Sequence, residues 1–250
     1  MTVKAIISDL DRTLLHTDKS VSKRTLGVLE ECGKRGIRIF AATARPTRNV
    51  TKYDQMIDFD AFSALNGAAV LLPDSSTECP IPRESAQSIV SELVHIPESI
   101  ISMETSDGFF ADADIPMWNP IIYDGFPELP THGKIYKILI SSRTSDIFDQ
   151  VASLLPEDTY CTLANGDIVQ IMSKNATKLN GIRTMLDSFG ISVDETVYFG
   201  DDHDDIEPIR ACGVGVAVAN AIPDVISVAD AVTSSNDDDG VAEYIEKFIL

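Results

Sequence analysis

The stretch Val3-Lys-Ala-Ile-Ile-Ser-Asp9-Leu-Asp11-Arg-Thr13 decides the fold class of this 250-residue chain. Its apolar, β-branched start predicts a buried strand over residues 3–7 that ends at an acidic loop. A helix over residues 23–35 and a second apolar strand over residues 37–42 are predicted next. A strand, a helix and a strand in this order predict a βαβ unit with a parallel sheet.

The C-terminal quarter of the chain repeats this alternation. The pattern predicts a helix over residues 178–189, a strand over 196–199, a strand over 214–218, a helix from 223, a short strand near 231 and a last helix from 241. The strand over 196–199 leads directly into the acidic segment Gly200-Asp-Asp-His-Asp-Asp205. Both ends of the chain therefore predict one α/β core.

The middle of the chain has a different pattern. Helices are predicted over residues 84–96 and 147–155, and strands over 100–105, 109–111, 136–141, 160–164 and 167–172. Two hairpin signals, Asp107-Gly108 and Asn165-Gly166, lie between strands of this set, whereas residues 113–133 are irregular. We therefore predict an α+β domain over residues 82–174, inserted into an α/β core formed by residues 1–81 and 175–250.

Composition excludes some classes of function. The net charge of −19 repels phosphate backbones and anionic lipid, which disfavours binding to nucleic acid or to a membrane surface. None of the four cysteines forms a CxxC pair, so neither a zinc site nor a redox motif is indicated. With no signal peptide and no apolar run of membrane-spanning length, we expect a cytoplasmic protein.

Asp9 and Asp11 carry the strongest chemical signal. They follow the first strand at its carboxyl end, which is where ligands bind in open α/β sheets. A nucleophilic carboxylate beside an acid/base carboxyl is what covalent phosphoryl transfer needs. Two Asp residues in a turn are the structural alternative, but the preceding strand and Thr13 favour a site.

A second acidic cluster follows the strand over 196–199. Four carboxylates lie within five positions, and their mutual repulsion is costly without a cation: Asp201, Asp202, Asp204 and Asp205. Carboxylates are hard ligands, and in the absence of cysteine they favour Mg²⁺ over zinc. The alternative is an acidic helix N-terminus stabilised by the helix dipole. We do not expect His203 to be a ligand.

Weaker signals lie elsewhere. Thr43-Ala44-Arg45 after the second strand is either a phosphoryl-binding turn or a Thr cap, and Lys178 either neutralises phosphoryl oxygens or is a solvated lysine. Asn66 is either a turn residue or an edge of the site. Trp118 and Asn119 in the irregular stretch either pack or contact substrate.

Taken in chain order, Asp9-Leu10-Asp11-Arg12-Thr13, Thr43-Ala44-Arg45, Lys178 and Gly200-Asp201…Asp205 resemble the four motifs of the haloacid-dehalogenase (HAD) superfamily. Leu65-Asn66-Gly67-Ala68 and the segment from Gly213 to Ala221 look like the Cof-type subfamily of sugar-phosphate phosphatases. The resemblance covers nearly the whole chain. It implies a Rossmann-like parallel-sheet core with an inserted α+β cap domain of the C2 type (C2B).

The resemblance also implies a mechanism. Asp9 would attack phosphorus and form an aspartyl-phosphate, and Asp11 would protonate the leaving oxygen and then activate water. Thr43 and Lys178 would hold the phosphoryl oxygens, assisted by the N–H groups of Leu10 and Ala44. A Mg²⁺ ion would be bound by Asp9, the carbonyl of Asp11 and Asp201, with Asp205 in support.

Two positions depart from the family pattern. Ala44 stands where the family usually has Gly, which restricts the backbone angles. Asp204 stands where the family usually has an Asn whose side chain lies near the phosphate. A carboxylate there would repel phosphate unless it is protonated, turned away or metal-bound.

The resemblance implies a small phosphorylated metabolite as substrate, with sugar phosphates the expected class. Arg45, Asn66, Trp118 and Asn119 are candidates for contacting the rest of the substrate. A phosphomutase and a non-catalytic sugar-phosphate binding protein remain alternatives. A dehalogenase is disfavoured because it would not use Asp11, and a receiver domain because it is about half this length. The sequence predicts no oligomeric state.

Overall fold

The computed structural model describes residues 2–143, 146–164 and 168–250. The chain divides into two compact units, of which the first comprises Met1–Glu78 and Thr177–Leu250 and the second Cys79–Ala176. The predicted domain boundaries, at residues 81/82 and 174/175, fall close to these divisions.

The first unit is an α/β layer structure. Its strands are β1 (Ala5–Ser8), β2 (Arg38–Ala42), β3 (Ala61–Ala64), β4 (Ala69–Leu72), β5 (Ser75–Glu78), β12 (Thr196–Gly200), β13 (Val214–Val218) and β14 (Ala231–Thr233). Its helices are α1 (Lys23–Lys34), α2 (Thr47–Ile57), α5 (Lys178–Phe189), α6 (Ile206–Ala211), α7 (Pro223–Val228) and α8 (Gly240–Phe248).

These strands form one eight-stranded sheet in the order β14-β13-β12-β1-β2-β3-β4-β5. The strands from β14 to β3 pair in parallel, and β4 and β5 extend the edge as antiparallel strands. The chain moves from β1 to β2 on one side and returns to β12 on the other. The sheet order therefore reverses between β1 and β12, and in open α/β sheets ligands bind at the carboxyl ends of the strands beside such a point.

Local chemistry explains where α1 begins and ends. The Ser22 hydroxyl accepts a hydrogen bond from the Thr25 N–H at 3.0 Å, which satisfies one of the unpaired donors of the first turn. Gly36, with φ +78°, follows the helix end in the left-handed region that glycine adopts readily. Val28, Leu29 and Cys32 are buried in the apolar core of the first unit.

The second unit is an α+β structure. It contains α3 (Arg83–Leu93), β6 (Ser99–Thr105), β7 (Phe109–Ala111), β8 (Ile121–Ile122), β9 (Ile135–Ser142), α4 (Ile147–Leu154), β10 (Thr159–Ala164) and β11 (Ile168–Ser173). The sheet order is β10-β11-β9-β6-β7-β8. Alternate residues of the strands, such as Ile138 and Ile140, share one apolar cluster with Ile89 of α3 and Val151 of α4.

The predicted α/β core with an inserted α+β domain is confirmed. The antiparallel pair β6–β7 flanks Asp107-Gly108 as predicted, and β10 pairs antiparallel with β11. The other turn signal, Asn165-Gly166, lies outside the described residues. We expected residues 113–133 to be irregular, and this was wrong in one place. Ile121–Ile122 forms the short strand β8, which pairs with β7.

Candidate active site

The acidic residues of the two strongest motifs meet at the switch point of the first sheet. β1 pairs in parallel with β12, and Ser8 lies opposite Phe199 in the register. Asp9 and the Gly200-Asp201 pair follow these positions directly, so both acidic segments leave the same edge of the sheet. Asp9, Asp201 and Asp205 are all buried there.

Lys178 joins two of these carboxylates. It is the first residue of α5, whose N-cap, Thr177, accepts a hydrogen bond from the Asn180 N–H. Its ammonium donates to Asp9 Oδ1 at 2.8 Å and to Asp205 Oδ1 at 2.6 Å. All three side chains are at most 7% exposed, so these charge-assisted hydrogen bonds are shielded from water.

Burial and the neighbouring charges shift the pKa values of this cluster. Burial raises the pKa of Asp9 well above its usual value, and Lys178 offsets only part of this effect. Burial and the Asp205 carboxylate raise the pKa of Asp201 to about 6. Burial opposes the charge of Lys178, but Asp205, Asp9 and Asp204 outweigh it and raise its pKa, so the ammonium stays charged. The cluster is therefore short of positive charge.

The chemistry of the donors fits a hard divalent cation. One carboxylate oxygen from each of Asp9, Asp201 and Asp205 lies within 4.8 Å of the others. Oxygen ligands without thiol or imidazole suit ions of the Mg²⁺ and Ca²⁺ type. These three buried residues could hold a metal ion, whose charge would supply what Lys178 alone does not.

Asp11 has different neighbours from Asp9. Arg45 donates to it twice, from Nε at 2.5 Å and from Nη2 at 2.7 Å, and Lys19 donates from Nζ at 2.7 Å. Burial opposes ionisation of Asp11, but the hydrogen bonds from Arg45 and Lys19 outweigh it and lower its pKa. Arg45, which we predicted as a substrate contact, is thus engaged with Asp11, and its guanidinium also lies 5.0 Å from the centre of the Tyr53 ring.

The turn after β2 lies beside the acidic cluster. Thr43 is buried, and its hydroxyl accepts a hydrogen bond from the Arg45 N–H at 3.2 Å. Ala44 does not adopt a positive φ, so the methyl group that replaces the usual Gly introduces no backbone strain. Leu10 is fully buried, and its carbonyl accepts hydrogen bonds from the N–H groups of Thr13 and Leu15.

Asn66 and Asp204 form a pair. Asn66 follows β3 in a left-handed conformation, with φ 54° and ψ 34°, and its side chain is buried. Its Nδ2 donates a hydrogen bond to Asp204 Oδ2. The carboxylate that departs from the family pattern is therefore held in a fixed position, and it contributes to the raised pKa of Lys178.

Our sequence reasoning assigned no role to three residues that contact this cluster. The Tyr198 hydroxyl donates to Asp205 Oδ1 at 2.5 Å, and the Thr13 hydroxyl donates to Asp201 Oδ1 at 2.7 Å. Arg12 Nε lies 3.9 Å from Asp201 Oδ2, and Arg12 adopts φ +61°. Arg12 and Thr13 belong to the first motif and could have been found there, whereas Tyr198 has the pattern of an ordinary strand residue.

The remaining candidates lie away from the acidic cluster or in the second unit. His203 is an exposed residue of the turn that carries Asp202 and Asp204. Trp118 packs edge-on against Phe109, with ring centres 5.7 Å apart, and remains 37% exposed. Asn119 adopts a left-handed conformation with φ 46°. Within the described part of the chain, no helix has both the length and the apolar character that crossing a bilayer requires.

Comparisons with known proteins agree with this arrangement. A model of the haloacid dehalogenase-like hydrolases matches residues 6–245. The chain is 26% identical to a putative phosphatase of Haemophilus influenzae, over 99% of this chain and 98% of that protein. It is 25% identical to the 5-amino-6-(5-phospho-D-ribitylamino)uracil phosphatase YitU of Bacillus subtilis, over 97% of this chain and 96% of that protein. A solved phosphatase of the HAD superfamily from Bacteroides thetaiotaomicron superposes with a TM-score of 0.85 at 25% identity, covering 99% of this chain and 95% of that one.

Proposed function

Because the chain belongs to the haloacid dehalogenase-like hydrolase family, we propose that it is a Mg²⁺-dependent phosphatase of small phosphomonoesters that transfers the phosphoryl group to Asp9. The membership that the ordered motifs predicted, a hydrolase of the HAD superfamily and Cof type, is confirmed. The ion, the substrate class and the role of each residue are our proposal.

The observation that carries the proposal is the buried ion pair between Asp9 and Lys178. A lysine held at 2.8 Å from a nucleophilic carboxylate lies where the oxygens of an attacked phosphoryl group would need neutralisation. Phosphoryl transfer depends mostly on positioning and on charge stabilisation, and this arrangement supplies both. A divalent ion held by Asp9, Asp201 and the main-chain carbonyl of Asp11, with Asp205 in support, would add further positive charge at the phosphoryl oxygens.

In the first half of the reaction, an oxygen of Asp9 bonds to phosphorus as the bond from phosphorus to the ester oxygen breaks. Lys178 and Thr43 hold the phosphoryl oxygens, with the N–H groups of Leu10 and Ala44 assisting. Asp11 gives a proton to the departing ester oxygen, which leaves as an alcohol.

In the second half, Asp11 takes a proton from a water molecule whose oxygen attacks phosphorus. The bond between phosphorus and the Asp9 oxygen breaks, which releases inorganic phosphate and restores both carboxyl groups. The lowered pKa of Asp11 suits its ionised form to this base step. The proton that Asp11 takes from water is the one that it gives to the ester oxygen of the next substrate, so the cycle closes.

The substrate class rests on weaker support. The family resemblance implies sugar phosphates, and YitU, a relative at 25% identity, is named for a phosphorylated ribityl compound. We propose a small phosphorylated metabolite of this kind. The exposed Trp118 and the neighbouring Asn119 remain candidates for contacting it.

The direct test is release of p-nitrophenol from p-nitrophenyl phosphate, with Mg²⁺ and with chelator, by the wild type and by Asp9→Asn. We expect activity that requires Mg²⁺ and falls about 10³-fold or more in the variant, because no nucleophile remains. Asp224→Asn makes the same change on the exposed first turn of α7 and should retain full activity.

A panel of sugar phosphates, followed by phosphorus NMR, separates the alternatives. Inorganic phosphate as the product supports a phosphatase. Return of the phosphoryl group to another position of the sugar would identify a mutase. Binding of these compounds with no product at all would identify a non-catalytic binding protein and reject the proposal.

A further inference from the structure

Tyr198 places a polar group inside the sheet where an apolar one would fill the space. It lies in the middle of β12, with its main chain between those of Ile7 in β1 and Gly215 in β13. None of its surface is exposed. Its hydroxyl donates to Asp205 Oδ1 at 2.5 Å, a short hydrogen bond of the kind that a charged acceptor makes.

Asp205 receives three further hydrogen bonds. Its Oδ1 also accepts from Lys178 Nζ at 2.6 Å, and its Oδ2 accepts from the N–H groups of Asp201 at 2.9 Å and Asp202 at 3.0 Å. A carboxylate offers about four lone-pair positions, so these four donors occupy both oxygens. Asp205 therefore connects the strand β12, the loop after it and the start of α5.

The two donors on Oδ1 of Asp205 compete for the same negative charge. Lys178 divides its own contacts between this oxygen and Asp9 Oδ1, at 2.6 and 2.8 Å. The neutral Tyr198 hydroxyl supplies one of the hydrogen bonds that Asp205 Oδ1 accepts, without adding a positive charge. If that hydroxyl were absent, Lys178 would be the donor that remains on Oδ1 among the described residues, and it would shift towards Asp205, away from Asp9.

We propose that Tyr198 is a positioning residue of the phosphoryl site: by occupying Asp205, its hydroxyl keeps the Lys178 ammonium beside Asp9, where the phosphoryl group binds. This inference rests on the proposed function in one respect, namely that Lys178 contacts the phosphoryl group. Although one oxygen of Asp205 lies within reach of an ion held by Asp9 and Asp201, this inference assigns Asp205 to the placement of Lys178 and not to direct coordination.

The test compares Tyr198→Phe with two controls. Tyr198→Phe removes one oxygen and keeps the ring in its buried place. Tyr244→Phe removes the hydroxyl of a half-buried tyrosine of α8 whose ring packs on Phe199. Val197→Ala removes two methyl groups from a buried core residue of the same strand and takes no hydrogen-bonding group away, so it reports the effect of destabilisation.

Four quantities are measured for each protein: kcat and KM for p-nitrophenyl phosphate, the affinity for inorganic phosphate by calorimetry, and the affinity for Mg²⁺ by calorimetry. For Tyr198→Phe we expect kcat and phosphate affinity to fall about tenfold, as is usual when an outer partner of a site is removed. We expect Mg²⁺ affinity to change less than about twofold, since Asp205 does not bind the ion in this assignment. Both controls should leave all four quantities unchanged.

Other results reject the inference. If Tyr198→Phe lowers only the unfolding temperature, as Val197→Ala should, the hydroxyl has a structural role alone. A large change in Mg²⁺ affinity would mean that Asp205 coordinates the ion. A wild type that binds phosphate but hydrolyses no ester would overturn the proposed function, yet the phosphate affinity of Tyr198→Phe would still decide this inference. A wild type that binds no phosphate would overturn both.

Discussion

Asp204 adds a carboxylate at the position where the phosphoryl group is expected to bind. Asn66 donates a hydrogen bond to this carboxylate, and the negative charge of Asp204 contributes to the raised pKa of Lys178. A fixed negative charge beside a phosphate-binding lysine repels an anionic substrate and attracts a cation. We infer that an Asp at position 204, where the family usually has Asn, lowers the affinity for substrate and raises the affinity for the metal ion.

Asp204→Asn should therefore lower the KM for p-nitrophenyl phosphate and raise the Mg²⁺ concentration needed for half-maximal activity. We expect about a tenfold change in each, because removal of one nearby charge at the rim of a protein site corresponds to about 1.4 kcal/mol. Steady-state kinetics at varied ester and varied Mg²⁺ measure both quantities.

Asp202→Asn is the matched control, since it removes the same charge from an exposed residue of the same turn. Equal effects of the two variants would mean that net charge matters and that the position of Asp204 does not. The absence of any change in Asp204→Asn would contradict the electrostatic argument.

At the scale of single elements, the position of the helix α5 depends on two glycines that allow close approach to neighbouring segments, Gly67 and Gly181. A Cβ at Gly67 would lie 2.2 Å from the Thr177 carbonyl oxygen, and Gly67 itself has φ +94°. A Cβ at Gly181 would lie 2.1 Å from the Ser63 hydroxyl. Close approach at these two points fixes the start of α5, and Lys178 is the first residue of that helix.

Gly67→Ala should accordingly displace the beginning of α5 and with it Lys178. We expect kcat to fall about 10- to 100-fold, because displacements near 1 Å at a site have effects of this size. We also expect a loss of about 2–4 kcal/mol in the free energy of unfolding, from the backbone clash and the unfavourable φ. Kinetics and urea unfolding measure the two effects.

Gly27→Ala is the control within a helix. Gly27 lies in α1, is exposed, and has no atom within 4 Å of the position of a Cβ. This variant should keep its activity and gain about 1 kcal/mol from helix propensity. If Gly67→Ala behaved in the same way, the close contact would not control the site.

The elements that carry chemistry could be predicted because parallel strands bring their carboxyl ends to one edge. The positions of Asp9, Thr43 and Asp201 after apolar strands indicated that they would meet, whatever the loops did. The helix α2 and the strand β5 are among the elements that were not predicted. The helix α2 begins after Pro46 with no side-chain cap and so lacks a clear boundary signal. The strand β5 is exposed along its whole length and so has no apolar face.

Contacts between side chains were harder to predict than strand ends. The two hydrogen bonds from Arg45 to Asp11 depend on how the loops after β1 and β2 fold. The hydrogen bond from Tyr198 to Asp205 depends on how far a tyrosine side chain extends from the middle of a strand. No pattern of residue types encodes these distances. The sequence therefore predicted the carboxylates but not the donors that hold Asp11 and Asp205.

At the scale of the whole molecule, the buried acidic cluster makes stability depend on pH and on the metal ion. An unfolded chain gives Asp201 its usual pKa near 3.9, whereas burial and Asp205 raise it to about 6 in the folded protein. A raised carboxyl pKa means that the folded state holds its proton more tightly. Its contribution to stability is therefore present below pH ~4 and is lost as pH rises through about 6.

With chelator present, Asp201 alone should therefore lower the free energy of unfolding of the wild type by about 3 kcal/mol between pH 4 and pH 7, which is what a shift of two pKa units represents, and the raised pKa of Asp9 should add to this decrease. Mg²⁺ should restore this loss at pH 7, because the ion replaces the proton and binds only the folded site. Urea unfolding followed by circular dichroism is the suitable measurement, since the single tryptophan, Trp118, lies in the second unit. Asp201→Asn removes one titrating group and one ligand of the ion, so the decrease with chelator should be smaller than in the wild type by about 3 kcal/mol and the response to Mg²⁺ weaker. If the free energy of unfolding of the wild type did not change with pH in chelator, Asp201 would have its usual pKa in the folded protein. The folded protein would then tolerate the acidic cluster without a cation.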